Sequence, residues 1–235
     1  MLLSLHRELQ DEKPMGWKSN ARLPVFIPHC SARQKREVFL DKHKNIIDGS
    51  QNPAEAVYTL EKNGSTGLRV LIRRCVRDEL EEILGLQQCV YDTVQDKDTF
   101  VLSTEKELAE SLETDVCLGA YVNDRLIAFT LVVINPASAR NLGYCLNYPQ
   151  EISRGCATYD TTFVHPSYTG YGLQRLFLSL KDAAARENGA GVALATVSPD
   201  NRVSLNNLKA GGFEIAEEKR MYGDRLRYVM RKSLI

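Results

Sequence analysis

The segment Thr162-Phe163-Val164-His165-Pro166-Ser167-Tyr168-Thr169-Gly170-Tyr171-Gly172-Leu173-Gln174 carries the clearest chemistry in the chain. A strand-like run ends at Pro166, a loop with two glycines follows, and an amphipathic helical pattern starts at Leu173. Backbone amides at a helix N-terminus lack intrahelical acceptors and sit at the positive end of the helix dipole. Glycine lets the main chain approach an anion closely and adopt positive φ. Together these features predict a phosphate or pyrophosphate seat that needs no basic side chain. The same spacing also serves a plain tight turn from strand to helix. It is not a dinucleotide fingerprint, because the third glycine position is Arg175, and no G-K-[ST] follows, as a P-loop requires.

The elements that must position this loop are regular from Leu68 onwards. Leu68–Arg73 reads as a strand and Asp78–Tyr91 as a helix with Leu80, Ile83 and Leu84 near one face. Thr104 and Glu107 form a capping-box pair at the start of a second, short helix. Val116–Val122 and Arg125–Val133 read as strands joined at Asn123-Asp124, a hairpin signal. Residues 135–156 are irregular, and so long a connection inside a compact domain is usually functional. Ala157–Val164 is a strand. Leu173–Asn188 is a helix with Leu173, Leu176, Phe177, Leu180 and Ala184 in register, and Arg175 and Lys181 read as solvated. Val192–Val197 is a buried-type strand, a helix capped by Asp200 or Asn201 stops at Gly211-Gly212, and Phe213–Ala216 and Arg225–Met230 close the chain as a hairpin. The order β-α-α-β-β-β-α-β-α-β-β predicts an α/β (α+β) fold, a mixed sheet with helices on its faces.

Before Gly64-Ser65-Thr66-Gly67 the pattern is weak, broken by Pro14, Pro24, Pro28 and Pro53. Residues 1–67 are therefore read as an extension and 68–235 as the domain. A helix over Ala32–Ile47 is the one element expected in the extension, which is not expected to contribute to cofactor binding. Lys+Arg and Asp+Glu are both 30, so no global field favours nucleic acid or an anionic membrane. No apolar run approaches the roughly 18 residues of a membrane span, and the start lacks a secretory pattern. The 6 cysteines show no C-x-x-C pair and no His at finger spacing, so no metal is expected and the thiols read as reduced, in a cytoplasmic protein.

A second pattern sits one helix and one strand beyond the glycine loop: Asn201, Ser204, Leu208 and Gly212-Phe213. With Val164, Pro166, Gly170 and Gly172 it resembles the GNAT superfamily of acyl-CoA-dependent N-acyltransferases, over roughly residues 68–233. The stretch Ala195–Asn201 looks like a bacterial-type subgroup of that superfamily. Two positions depart from the family pattern. Ser167 stands where Gln or Arg is usual, which implies weaker cofactor binding. Leu208 stands where a tyrosine often protonates the departing thiolate.

The resemblance implies a mostly antiparallel mixed sheet with splayed central strands, and acetyl-CoA as cosubstrate without a metal. The pantetheine would pair with the backbone at Phe163 and Val164, and the pyrophosphate would rest on Thr169, Gly170, Tyr171, Gly172, Leu173 and Gln174, with Asn201 and Ser204 alongside. The acceptor would be a primary amine of a small molecule or peptide, attacking directly in a ternary complex; homodimerisation is left open. Asp160 is the candidate base, four residues before Val164 and expected on the same face as Thr162 and Val164, with Tyr159 on the opposite face. His165 is a weaker candidate. Tyr222, at the turn of the final hairpin, is the candidate acid, with water or Ser204 as alternatives. A competing reading is a non-catalytic acyl-CoA sensor; a nucleotide-binding protein is disfavoured because no acidic ribose or metal partner follows the loop.

Overall fold

The computed structural model describes residues 55–62 and 67–235. The helix expected over Ala32–Ile47 lies outside the described residues. Eight strands form one sheet in the order β1-β2-β3-β4-β5-β6-β8-β7. They are β1 (Ala56–Leu60), β2 (Leu68–Arg74), β3 (Val116–Val122), β4 (Arg125–Val133), β5 (Cys156–Val164), β6 (Val192–Val197), β7 (Glu214–Met221) and β8 (Arg225–Ser233). The helices are α1 (Leu80–Thr93), α2 (Glu105–Thr114), the short α3 (Gln150–Arg154), α4 (Leu173–Glu187) and α5 (Arg202–Ala210). Among the described residues no helix is long and apolar enough to cross a membrane. The mixed, mostly antiparallel sheet flanked by helices is the fold class the sequence predicts.

One element differs. Ala56–Leu60, inside the stretch read as an extension, pairs antiparallel with β2. Pro53 and Gly64 bracket a run of only five residues, too short for a periodic signal to stand out.

Local chemistry fixes the connections. Asn123 and Asp124 take φ 49° and 60°, the left-handed pair that a two-residue hairpin needs. Thr104 accepts from the Glu107 amide, and the Glu107 carboxylate accepts from the Thr104 amide, closing the expected capping box on α2. On one sheet face Leu173, Phe177, Ala184 and Ala185 of α4 pack against Ala128, Ala157, Tyr159 and Met230. On the other face Ile83 and Leu86 of α1 and Leu108 of α2 pack against Cys117, Phe129, Leu131 and Phe163. Each large apolar side chain so buried contributes about 1.5–3 kcal/mol.

Two features of the middle of the sheet were not legible as single residues. First, β4 and β5 pair Thr130 with Thr162 but Val132 with Tyr159, so Asp160 and Thr161 together oppose Leu131. This bulge breaks the alternation of β5. Tyr159 and Val164 pack on the α4 face, and Phe163 packs on the α1–α2 face. The expectation that Asp160 shares a face with Val164 is therefore corrected: Tyr159 does, and Asp160 is turned towards α2. Second, Lys181 is not solvated. It is 1% exposed, and its Nζ donates a long bond of 3.4 Å to the Thr161 carbonyl in the bulge.

Desolvation pulls the Lys181 ammonium down to about 7, and the charge of Asp160 opposes this only in part. The unfolded chain holds that proton up to about pH 10.4, so unfolding takes up a proton between the two values. This group's contribution to stability therefore rises with pH from about 7 to about 10 and is least favourable below 7. Lys181→Met should stabilise the fold at pH 6, with the difference from wild type shrinking towards zero by about pH 10. Denaturant titration at both pH values checks this; a pH-independent difference would mean that the amine keeps its ordinary pKa.

Candidate active site

The parallel pairing of β5 with β6 covers only Cys156–Thr158 against Val192–Leu194. Beyond it, β5 stays paired with β4 up to Val164, and β6 stays paired with β8 up to Val197. The two central strands therefore separate, and each presents an open backbone edge to the gap. Phe163 and Val164 lie on that edge, with their side chains turned into the core clusters of opposite faces.

At the mouth of the gap the chain leaves β5 through a short 3-10 turn, Pro166–Tyr168, that His165 caps by accepting from the Ser167 amide at 3.2 Å. That bond engages the imidazole in the turn, which leaves His165 a capping role. Gly170 and Gly172 follow with φ of 88° and 80°, values a side chain would strain. Gly172 caps α4 without a side-chain partner, and the amides from Gly170 to Arg175 find no backbone acceptor among the described residues. Gly170, Tyr171, Gly172, Leu173 and Gln174 thus form a continuous arc of N–H groups without backbone acceptors at a helix start, a fit for a pyrophosphate, whereas the Thr169 amide already donates to the Pro166 carbonyl at 3.3 Å. Lys62 joins the arc from beyond β1. Its Nζ donates to the Thr169 carbonyl at 2.9 Å and lies 5.5 Å from the centre of the Tyr171 ring. Sequence reasoning missed this residue, which is distant in the chain and carries no local signal.

Asn201 and Ser204 lie on the adjoining helix. Asn201 caps α5 by accepting from the Ser204 amide at 3.1 Å. Gln174 donates to the Ser204 hydroxyl at 3.1 Å and accepts from Asn207 at 2.6 Å, tying α4 to α5 behind the loop. Leu208 is packed in the core rather than facing the gap.

On the α1–α2 side of the gap a polar group gathers. Asp160 pairs with Arg140 at 3.1 Å, and Arg140 also reaches Asp115 at 3.6 Å and the Ser111 hydroxyl of α2. The amides of Ile134 and Asn135 hold Asp115 in turn at 3.0 and 3.2 Å. Tyr222 approaches from the β7–β8 turn, where Tyr222, Gly223 and Asp224 all take positive φ. Its hydroxyl shares a hydrogen bond of 3.1 Å with Thr196 on the gap-facing end of β6. Partial burial and, after it, the Asp160 charge push the phenol up to about 12, although 36% of the residue is exposed at the turn. The two candidate catalytic residues are thus brought to one side of one gap. Arg140, Thr196 and Thr161, whose hydroxyl meets Ser103 at 3.1 Å, were not found from sequence. Arg140 was a single arginine in an irregular connection.

No family model and no curated protein matches the chain. Solved structures do. A GNAT-family acetyltransferase from Streptococcus pneumoniae superposes with a TM-score of 0.54 at 20% identity, over 70% of this chain and 98% of that one. The chain has the GNAT fold. The putative acetyltransferase YncA from Salmonella typhimurium, solved with its cofactor acetyl-CoA, gives 0.53 at 17% identity over 71% and 94% of the two chains. The ribosomal-protein-S18-alanine N-acetyltransferase from Escherichia coli gives 0.53 at 18% identity over 70% and 94%.

Within this GNAT fold four of the described thiols are poorly placed as nucleophiles. Cys156 is buried, its Sγ donates to the Ile152 carbonyl at 3.3 Å, and burial pushes its pKa up. Burial raises Cys75, Cys117 and Cys145 likewise. Tyr159 is also committed, donating to Asp182 at 2.7 Å.

The loop geometry gives a direct test. A Cβ at Gly172 would meet only Arg175, at 3.9 Å, so the penalty of Gly172→Ala is conformational, about 1–2 kcal/mol. Gly172→Asp adds a carboxylate at the arc and should weaken CoA binding by about 10²-fold or more beyond the alanine variant. Calorimetry with CoA decides; equal affinities for the two variants would remove the loop from the cofactor site.

Proposed function

We propose that the protein is an N-acetyltransferase that moves an acetyl group from acetyl-CoA to a primary amine of a small molecule or peptide, in a ternary complex. The observation that carries this reading is the single gap between β5 and β6, with an anion-binding arc at one end and Asp160, Thr196 and Tyr222 on one side. Bound acetyl-CoA supplies an activated acyl carbon. The amides from Gly170 to Gln174 hold its pyrophosphate, with Thr169 at the edge of the arc, and the open edge at Phe163 and Val164 pairs with its pantetheine amides. Asn201 and Ser204 support that arc through Gln174. The peptide alternative for the acceptor is supported by the likeness to a ribosomal-protein-alanine N-acetyltransferase.

An alkyl amine has a pKa of about 10, so it reaches neutral pH protonated and must lose that proton before attack. Asp160 is the base in this reading. Arg140 fixes one oxygen of the carboxylate at 3.1 Å, and the Thr161 hydroxyl donates to the other at 3.3 Å, which together set its direction. Tyr222 is the acid. Desolvation and the Asp160 charge keep its proton in place across the physiological range, so a proton is always available for the departing thiolate. The phenol thereby takes over a role that the buried Leu208 cannot fill. Direct attack, rather than an acyl-cysteine, is supported by the raised thiols of Cys75, Cys117, Cys145 and Cys156.

Thiol release from acetyl-CoA, with and without amines, tests the activity. CoA binding without amine-stimulated release would turn the reading into that of a sensor. Tyr222→Phe should lower kcat by about 10²-fold with little change in the KM for acetyl-CoA. An unchanged kcat would make the tyrosine structural. Cys156→Ala should retain activity, and mass spectrometry of the enzyme during turnover should find no acetylated cysteine. An acetyl-cysteine adduct that forms and decays at the rate of turnover would overturn direct transfer.

A further inference from the structure

Arg227 is the one arginine of β8 whose side chain is enclosed. The residue is 3% exposed and lies on the sheet face that carries Asp160. Its guanidinium donates from Nη1 to the Leu226 carbonyl at 2.8 Å and from Nη2 to the Asp98 carbonyl. Both acceptors are backbone. Among the described residues no carboxylate lies within 4.0 Å of it, the Asp98 carboxylate being taken by Arg225 at 3.1 Å. Arg227 therefore has a fixed planar fork, most of its five N–H groups unused, and a second guanidinium nearby. Desolvation and the Arg225 charge work against its protonated form, and the charges of Asp98 and Asp96 offset this in part. The direct partners of the guanidinium are carbonyls, with the Asp98 and Asp96 charges and the Tyr222 ring acting at longer range, and a carboxylate or phosphate would engage its remaining N–H groups in parallel charge-assisted bonds.

Position says where such an anion would come from. The Arg227 guanidinium carbon is 5.9 Å from the centre of the Tyr222 ring, whose hydroxyl bonds Thr196 at the gap. Arg140, on the same side of the gap, is already matched by Asp160 and Asp115. An anion on Arg227 would thus stand a short chain's length from an amine placed between Asp160 and Tyr222.

We infer that the acceptor amine carries a carboxylate or phosphate on the same molecule, a few bonds from the nitrogen, and that Arg227 reads it. This rests on the acetyl-transfer reading for the position of the amine. Arg227 is then a specificity-determining residue. Arg225 adds to the local field and holds the Asp98 carboxylate away from Arg227.

The test compares each anionic amine with a neutral partner of the same shape: glycine with glycinamide, β-alanine with β-alaninamide, and phosphoethanolamine with ethanolamine. Thiol release is measured for wild type, Arg227→Gln and Arg227→Lys. Wild type should favour the anionic member of at least one pair by about tenfold or more in kcat/KM. Arg227→Gln should bring that ratio towards one, mainly through KM, and Arg227→Lys should restore part of it. The carboxylate pairs and the phosphate pair tell the two anions apart. A wild type that takes the neutral members equally well overturns the inference, as does an Arg227→Gln variant that loses both members of a pair alike. Calorimetry of the anionic amines with the CoA-bound protein needs no turnover. Binding that depends on Arg227 without any thiol release would sink the transfer reading and leave this one standing. Absence of binding in calorimetry together with turnover of neutral amines would do the reverse.

Discussion

Everything at the candidate site depends on where the β5–β6 ladder stops. Parallel pairing ends at Thr158 and Leu194, yet neither strand ends there. Each continues because its other edge is still held, by β4 on one side and by β8 on the other. The bulge at Asp160 and Thr161 supplies the divergence, since an extra residue bends a strand and sharpens its twist. The carbonyl of Thr161 is kept satisfied within the protein by Thr130 at 3.3 Å and Lys181 at 3.4 Å. Polar groups beyond that point, on the edges facing the gap, have no strand to answer them. Buried or half-buried backbone must be paired, so such a gap is a standing demand for a ligand with its own amides or for water.

The bulge also sorts the chemistry onto two sides. By adding one residue to β5 it turns Asp160 towards α2 and Arg140, and it leaves Tyr159 and Val164 on the α4 face. Lys181 reaches the same bulge from the α4 side, so a cation and a carboxylate approach one stretch of backbone from opposite faces of the sheet. Removing a lysine amine from water is expensive, and here one long carbonyl bond, the Tyr159 ring 5.5 Å from the amine and the Asp160 charge offset part of the cost. The fold accepts that cost at the point where the sheet opens.

How much of this a sequence can carry follows from what each feature depends on. The glycine loop was legible because both its requirements are local: positive φ at Gly170 and Gly172, and an apolar stripe starting at Leu173. The hairpin at Asn123-Asp124 and the cap at Thr104 were legible for the same reason. Lys181 was half legible. It falls four residues after Phe177, on the apolar face of α4, but lysine on a helix is so commonly solvated that the position was read by residue type and not by register. The bulge was not legible at all, because it is a count of two residues against one on the neighbouring strand, and a single strand does not contain its partner's register. Asp160 was accordingly named as a candidate and assigned the wrong face. Lys62, Arg140 and Arg227 reach the site across long stretches of chain, and nothing beside them in the sequence marks the meeting.

Tyr222 shows the same dependence on register from the other end of the chain. A tyrosine at φ 54° is strained, and such strain persists only where the surroundings over-determine it. Here the three-residue turn between β7 and β8 imposes it. The strand β7 is exposed along most of its length, so β8 anchors the hairpin, and β8 is anchored by its ladder to β6, which sets Thr196 opposite Val229 and Val197 opposite Tyr228. A slip of one residue in that ladder would move Val229 and Arg227 to the α4 face and carry the turn away from Thr196. The core prevents the slip, because Met230 would then have to leave a fully buried site. The phenol at the gap is therefore placed by a methionine on the far side of the sheet, and the hydrogen bond to Thr196 reports that the register is held.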